Sequence, residues 1–130
     1  MDYILYLKRI VKRINNVKFL GFQDPMPFYQ SASVLCMTSN YEGWGMVLTE
    51  SMQFGVVPIA FNSSGAFIDI INNEKNGILI SPFNMAQYKK QLCNLLDNNS
   101  LRLEMSMNAQ EDIKKYSVKN IVDSWEIILK

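Results

Sequence analysis

The sequence predicts an α/β fold, a Rossmann-like parallel sheet with helices on both faces. Two short, continuous apolar runs, SVLCMTS at 33–39 and VVPIAF at 56–61, are typical of strands that are covered on both faces. Segments with helical spacing of apolar residues separate and follow these runs. Because strands that alternate with helices form parallel sheets, this order indicates the α/β class. The 130 residues, of which 48% are hydrophobic, correspond to one small globular domain, 1–130.

Four strands are predicted, and they are too few for a complete doubly wound sheet, which has about six. The expected strands cover residues 17–20, 33–38, 56–61 and 77–81. We therefore expect a sheet that is truncated at its amino end, with further strands belonging before Asp2.

The predicted helices follow from apolar spacing and from turn residues at their ends. Gly55 stands where a carboxyl-terminal cap belongs. The expected helices cover about 3–14, a short turn after Asp24-Pro25, about 45–54, the stretch AFIDIINN, and about 84–97, 101–115 and 118–129. In the last helix, the apolar stripe of Ile121, Val122, Trp125 and Ile128 is expected to pack into the core rather than to form a partner surface.

Composition excludes several classes of function. The net charge of +1 offers no global attraction to nucleic acid, and no run of about 18 apolar residues could span a membrane. The absence of histidine removes every Ser-His or Cys-His mechanism and most zinc sites. Cys36 and Cys93 are expected to be small buried apolar residues of a reducing compartment. We therefore expect a cytoplasmic protein.

Five basic residues near the amino end leave two interpretations open. They either stabilise the last turn of a helix or attract anionic lipid or a phosphorylated ligand weakly. The residues are Lys8, Arg9, Lys12, Arg13 and Lys18.

The stretch SNYEGWGMVLTE, residues 39–50, carries the main functional signal. It follows the second strand, turns at Gly43 and Gly45, and opens a helix, so backbone N–H groups and the positive end of a helix dipole converge there. Glu42 precedes the helix and Glu50 lies within it, where carboxylates can accept hydrogen bonds from sugar hydroxyls. The alternative is a plain turn with Trp44 packed against the core and two glutamates that only favour a helix start.

The chain also resembles a known family over about residues 15–129. The likeness comprises VKFLGF, Tyr29, SASVLCMTSNYEGWGMVLTESMQFGVVPIAF, the segment 65–69, NGILISPFN and Asn108-Ala109. These motifs are similar to the carboxyl-terminal, donor-binding half of GT-B glycosyltransferases of family 4. The two glutamates separated by seven residues (E-x7-E) and the Glu-Gly-aromatic-Gly run are the most specific parts.

The resemblance implies a role for each residue of the motif on the sugar side. Glu42 would be the catalytic residue and would contact hydroxyls of the transferred sugar. The backbone amides of Gly43, Trp44 and Gly45 would face that sugar and the diphosphate.

It also implies the remaining donor contacts. The amides of Met46 and Val47 would hold the phosphates, and Glu50 would bind the ribose hydroxyls. Gly21 and Phe22, placed at the end of the first predicted strand, would lie near the base.

The activity that the resemblance implies is hexosyl transfer from a nucleotide sugar with retention of anomeric configuration, without a metal or other cofactor. The products would be bacterial surface polysaccharide, lipopolysaccharide or glycolipid, made at the cytoplasmic face of the inner membrane by a peripherally associated enzyme. An acceptor-binding domain would precede this one, so the chain alone would be weakly active or inactive. A non-catalytic nucleotide-sugar-binding module is the alternative, and a sugar-nucleotide epimerase is a third reading that the absence of histidine disfavours.

The sequence departs from the family pattern at two positions. Ala66 stands where a second glycine is usual, and Asp69 where a glutamate is usual. Two interpretations stay open for three further candidates. Tyr41 would either stack on a ligand or pack in the core. Ser63 and Ser64, at the end of a strand, would either contact a ligand or form a turn.

Overall fold

The computed structural model describes residues 3–129 and has three parallel strands and seven α-helices in that range. The strands are β1 (Val34–Met37), β2 (Val57–Phe61) and β3 (Ile78–Ile80). The helices are α1 (Tyr3–Ile10), α2 (Met26–Tyr29), α3 (Met46–Gln53), α4 (Phe67–Ile70), α5 (Met85–Asp97), α6 (Asn99–Asp112) and α7 (Val118–Ile128), with a 3₁₀ helix at Ile113–Tyr116 between the last two.

The strand order is β1-β2-β3, so β2 is the central strand of the sheet. Val34 lies opposite Val57, and Ile59 lies opposite Ile78. All five residues of β2 are buried, as the continuous apolar run predicts for a strand covered on both faces. The predicted parallel α/β sheet is therefore confirmed.

Two apolar clusters lie on the two faces of this sheet, because successive residues of a strand point to opposite sides. Residues of β1, β2, α3, α4, α6 and the 3₁₀ helix, with Ile71 directly after α4, form the first cluster: Met37, Leu48, Met52, Ala60, Phe67, Ile70, Ile71, Ala109 and Ile113. Residues of β2, β3, α5 and α6 form the second: Val57, Ile59, Phe61, Ile78, Ile80, Tyr88, Leu95 and Met105. Helices therefore cover both faces, as predicted.

Gly55 ends α3 in the predicted way. Its φ of 74° is left-handed, its N–H donates to the carbonyl of Met52, and the N–H of Val56 donates to the carbonyl of Ser51. This pair of bonds is the Schellman motif, which satisfies carbonyls that a helix end leaves without partners. The helix that begins in the glutamate-containing stretch thus has a defined end after two turns.

The predicted strand at 17–20 is wrong. In the structure this segment has no strand pairing, and Val17, Phe19 and Leu20 are exposed. A strand is defined by hydrogen bonds to a neighbour, and no described strand lies beside this segment. Its apolar composition therefore does not produce a strand among residues 3–129.

The predicted burial of the last helix is also wrong. No residue of α7 is buried, and Trp125 and Ile128 are 65% and 80% exposed. The helix forms where the spacing predicts it, and the hydroxyl oxygen of Ser117 caps it by accepting from the N–H of Asn120. Its apolar stripe is therefore only partly covered by the described residues, and Ile121 borders a cavity together with Trp44 and Tyr116.

Both cysteines are exposed, which corrects the prediction that they are buried. Cys36 lies on β1, an edge strand of the described sheet, so only one side of that strand is paired. Cys93 lies on α5, whose buried residues are Tyr88 and Leu95. The apolar run around Cys36 predicted its strand correctly but not the exposure of its side chain.

Candidate functional site

The candidate site lies at the edge of the sheet where β1 and β2 end. In parallel strands the carboxyl ends meet at one edge, so the loop 38–45 after β1 and the loop 62–66 after β2 are neighbours. A hydrogen bond joins them directly: the Ser64 hydroxyl donates to the carbonyl oxygen of Gly43 at 3.1 Å. The N–H of Ala66 donates to the same hydroxyl at 3.3 Å, which fixes its position. Ser64 therefore contacts the glutamate-containing loop, at the edge where strand topology places it.

Gly45 makes the corner from which α3 starts. Its φ of 80° and ψ of 56° are left-handed, a conformation that favours glycine. A Cβ at this position would lie 2.7 Å from the Cε1 of Phe67 and 3.2 Å from the Cδ1 of Leu48. Both the backbone conformation and the close approach of Phe67 therefore require glycine here. Gly43 differs, because a Cβ there would meet no atom within 4 Å.

The first turn of α3 presents backbone donors that nothing in the described part of the chain uses. The N–H groups of Met46 and Val47 meet no acceptor, and no side chain caps the helix at Gly45. No acidic residue lies in the first turn. Free N–H groups together with the positive end of the helix dipole make such a turn suited to an anion, above all a phosphate.

The two glutamates lie on either side of this turn in different surroundings. Both are half-buried. Glu42 makes no hydrogen bond or ion pair with any residue in 3–129, whereas the Oε2 of Glu50 accepts a hydrogen bond from the Tyr29 hydroxyl at 3.3 Å. One carboxylate is thus free for a ligand, and the other is held from one side.

Tyr29 is a residue of the site whose contact sequence reasoning missed. It closes the short helix α2 and is only 6% exposed. Burial, and then the neighbouring Glu50 carboxylate, raise the pKa of Tyr29, so the phenol keeps its proton and acts as the donor. The sequence shows an aromatic residue before β1, but it carries no sign that this residue reaches a carboxylate 21 positions away.

Trp44 packs partly against the protein and remains 40% exposed. Its ring stands edge-on to the ring of Tyr116, with centroids 5.0 Å apart. The Tyr116 hydroxyl donates to the carbonyl oxygen of Asp69 at 2.9 Å, which ties Tyr116 to α4. Trp44 thus combines a packing contact with an open face, and Tyr116 is a second residue that the sequence did not indicate.

A cavity of about 420 Å³ lies beside this corner and borders Trp44, Met46 and Tyr116. Another cavity, of about 770 Å³, lies between α6 and the start of α7 and is lined by neither glutamate. The corner is the candidate site because the free N–H groups and the two carboxylates are there rather than in the second cavity.

The remaining predicted residues stay less defined. Phe22 is 102% exposed, and Tyr41 is also exposed. Gly21 has a left-handed φ of 70°, in a segment without strand structure. The predicted placement of Gly21 and Phe22 at the end of a first strand is therefore wrong, and their contact with a base stays a prediction. The Ser63 hydroxyl is shielded from solvent without a hydrogen-bond partner among the described residues.

Among residues 3–129, no helix combines the length and the apolar character needed to cross a membrane. The location of the protein stays a prediction.

Known proteins similar to this chain are glycosyltransferases. An uncharacterized glycosyltransferase of Haemophilus influenzae is 31% identical over 127 residues, which are 95% of this chain and 36% of that protein. The poly(ribitol-phosphate) alpha-N-acetylglucosaminyltransferase of Staphylococcus aureus is 30% identical over 112 residues, covering 85% of this chain and 23% of the enzyme. The chain thus spans about a third or less of the length of these relatives.

Solved structures show the same fold. The crystal structure of Anabaena HepE in complex with UDP superimposes with a TM-score of 0.88 at 25% identity, over 98% of this chain and 36% of HepE. The parallel sheet with its helices is therefore that of GT-B glycosyltransferases. The family described as glycosyl transferases group 1 matches residues 4–112, which include both glutamates, the helix start between them and all three strands. This chain belongs to the glycosyl transferases group 1 family.

Proposed function

We propose that this chain is the donor-binding domain of a retaining, family 4 glycosyltransferase that takes a sugar from a nucleotide diphosphate sugar. The observation that carries the proposal is the start of α3, where the N–H groups of Met46 and Val47 are free between the Glu42 and Glu50 carboxylates. A nucleotide sugar has a diphosphate at its centre and hydroxyls on both sides, which matches this order of groups. The UDP complex of the similar HepE supports a nucleotide ligand.

The residues divide the donor between them. The amides of Met46 and Val47 bind the diphosphate, and Glu50 accepts hydrogen bonds from the ribose hydroxyls. Glu42, with the backbone of Gly43, Trp44 and Gly45, faces the transferred sugar. The exposed Gly21 and Phe22 lie on the base side of the nucleotide.

Each group favours the transition state for a physical reason. The bond between the sugar C1 and the diphosphate oxygen breaks, and both electrons pass to that oxygen, so negative charge develops where the α3 amides are already oriented. The sugar becomes oxocarbenium-like and positive, and a nearby Glu42 carboxylate stabilises it. The acceptor oxygen then bonds to C1 and loses its proton to the departing diphosphate. No metal or other cofactor takes part in this scheme, so a chelator should leave donor binding unchanged.

Titration calorimetry tests the proposal on the 130-residue chain with UDP, GDP and ADP and with their sugar derivatives. Because Glu50 would accept two hydrogen bonds at a charged group, Glu50→Ala should weaken binding of the preferred nucleotide by about 10- to 100-fold. Glu42→Ala should bind that nucleotide like the parent and lose affinity mainly for the nucleotide sugar.

Glu104→Ala is the matched control, since Glu104 is an exposed glutamate on α6 outside the site. It should bind every ligand like the parent. A folded parent that binds none of the nucleotides or nucleotide sugars would refute the proposal. Parent-like nucleotide binding by Glu50→Ala would instead refute its assigned role.

The same proposal extends to the whole protein, which would need an acceptor site to transfer the sugar. The names of three relatives refer to poly(ribitol-phosphate), to a PP-undecaprenol-linked saccharide and to amylovoran biosynthesis, and they support an acceptor in polysaccharide or glycolipid synthesis. The chain alone should bind the donor and transfer hexose poorly or not at all. The full enzyme would attach peripherally to the cytoplasmic face of the membrane. A domain that binds the donor in a protein without any transfer would be the non-catalytic module instead.

A further inference from the structure

The hydroxyl of Tyr29 and the carboxylate of Glu50 form a link between two helices that the proposed roles do not use. Tyr29 closes α2 and Glu50 lies in the second turn of α3, and their side-chain oxygens are 3.3 Å apart. The bond engages Oε2 only, and no group in residues 3–129 donates to Oε1. One carboxylate oxygen is therefore bound to the protein while the other is available to a ligand.

The tyrosine is buried more fully than the glutamate. Its ring is 6% exposed and packs against Phe54, with ring centroids 6.1 Å apart. The half-buried glutamate has three rotatable side-chain bonds, and ordering such a side chain costs up to about 2 kcal/mol of conformational entropy. A fixed donor on one oxygen removes part of this cost before a ligand arrives.

The charge of the pair suits this arrangement. A neutral phenol can donate to a carboxylate without cancelling its negative charge, whereas a lysine or arginine would neutralise it. Because burial and Glu50 raise the pKa of Tyr29, the hydroxyl remains a donor through the neutral range. The carboxylate therefore keeps its ability to accept from ligand hydroxyls.

We propose that Tyr29 is a positioning residue, which holds the Glu50 carboxylate in the orientation that accepts the ribose hydroxyls of the donor nucleotide. The proposal rests on the donor-binding function argued above and adds to it a residue outside the loop and helix of the site. Tyr29 itself does not touch the nucleotide.

Tyr29→Phe is the first variant, since it removes the hydroxyl and keeps the buried ring. We expect the preferred nucleoside diphosphate to bind about three- to tenfold more weakly, because one hydrogen bond to a charged group is lost. The loss should vanish for an analogue of the same nucleotide that lacks the 2′ and 3′ hydroxyls. A merely structural role for Tyr29 would weaken both ligands equally, and that result would overturn the proposal.

Tyr88→Phe is the matched control, since Tyr88 is also a buried tyrosine whose hydroxyl is hydrogen-bonded, here to the carbonyl of Ile59 at 2.9 Å. It should leave the affinity ratio between nucleotide and dideoxy analogue at the parent value. Thermal unfolding of each variant checks that it is folded at the temperature of the titration.

Glu50→Ala completes a double-mutant cycle and separates this proposal from the one it rests on, because it removes the acceptor of the Tyr29 hydroxyl. In the Glu50→Ala background, Tyr29→Phe should have no further effect on the ratio between nucleotide and analogue affinities. If Glu50→Ala binds nucleotide like the parent, the ribose role of Glu50 is wrong. If Glu50→Ala weakens binding but Tyr29→Phe does not, the ribose role stands and Tyr29 does not position it.

A second variant covers the case in which Tyr29→Phe does not fold. Glu50→Asp shortens the side chain by one methylene and withdraws the carboxylate from the Tyr29 hydroxyl without changing the buried ring. It should lose at least as much of the ribose preference as Tyr29→Phe. Full retention of that preference would overturn the proposal.

Discussion

Helix α7 is more strongly amphipathic than helix α3, yet only α3 is buried. In α3, Leu48, Ser51 and Met52 are buried against the sheet, and the helix carries the candidate site at its start. In α7, which is three residues longer, no residue is buried. The comparison teaches that periodicity predicts a helix and the face that favours burial, whereas the presence of a packing partner is a property of the assembled structure.

The same contrast divides the described chain into a packed middle and two exposed ends. The packed middle runs from Tyr29 to Ile113, which are the first and last buried apolar residues of the described chain. Helix α1 resembles α7, because none of its residues is buried although tyrosine, isoleucine and leucine recur along it. The glutamate-containing loop, the start of α3, Tyr29 and Ser64 lie in the packed middle, whereas Tyr116 and the predicted base contacts at 21–22 lie outside it. Most of the candidate site therefore lies in the part of the chain that buries its apolar side chains.

The largest expected effect compares Leu48 with Trp125. Leu48→Ala should lower the free energy of unfolding by about 3–5 kcal/mol, because a fully buried leucine leaves a cavity. Trp125→Ala should change it by less than about 0.5 kcal/mol, because the ring is mostly exposed. Urea denaturation of the two variants measures both values. If Trp125→Ala lowers the free energy of unfolding as much as Leu48→Ala, the division into a packed middle and exposed ends is wrong.

The next effect compares two glycines inside the site. Gly45→Ala should lower the free energy of unfolding by about 2 kcal/mol, because the new Cβ meets both a left-handed backbone and the Phe67 ring. Gly43→Ala should be close to neutral, because the space there is open. Thermal denaturation of both variants tests this, and equal losses would contradict the geometry. If the folded Gly43→Ala variant binds nucleotide more weakly, the cause would be its new methyl group, which would occupy open space that the ligand uses.

The smallest expected change in stability concerns two tyrosines, Tyr88 and Tyr6, and at Tyr88 it depends on pH. Tyr88→Phe should lower the free energy of unfolding by about 1 kcal/mol at pH 7, because its hydroxyl bonds to Ile59 in the second apolar cluster. Tyr6→Phe on exposed α1 should have no effect. Urea denaturation at pH 7 measures both variants.

The pH dependence follows from the pKa of Tyr88, which burial and then Cys36 raise above the ordinary 10.0. The unfolded chain then releases this proton near its ordinary pKa while the folded chain holds it, so the parent loses stability as pH rises above about 10. Tyr88→Phe lacks this loss. The difference in the free energy of unfolding between the parent and Tyr88→Phe should therefore become smaller at high pH. A difference that grows there would contradict the raised pKa of Tyr88.

Local sequence signals predicted most of the fold, because caps and periodicity act over a few residues. Gly55 ends α3 as its position indicates, and Ser117 begins α7. The failures concern long-range pairing. The segment 17–20 has strand composition without a partner, and Cys36 lies at a sheet edge rather than inside.

The candidate site divides in the same way. The helix start, Gly45 and the two glutamates are close together in sequence, so their arrangement follows from one loop and one helix. Tyr29 and Ser64 each lie 21 positions from the residue they contact, Glu50 and Gly43 respectively. Such contacts depend on how strands and helices pack, which no short pattern encodes.

From the sequence alone follow the α/β class, the helix that starts after Gly45 and the position of that helix start between two glutamates, because each depends on neighbouring residues and on alternating elements. Only the tertiary structure decided that the Glu50 carboxylate is held by Tyr29 while Glu42 is free, and that α3 is buried while α7 is exposed. The physical reason is that burial and hydrogen bonding between distant residues are set by the neighbours that folding supplies.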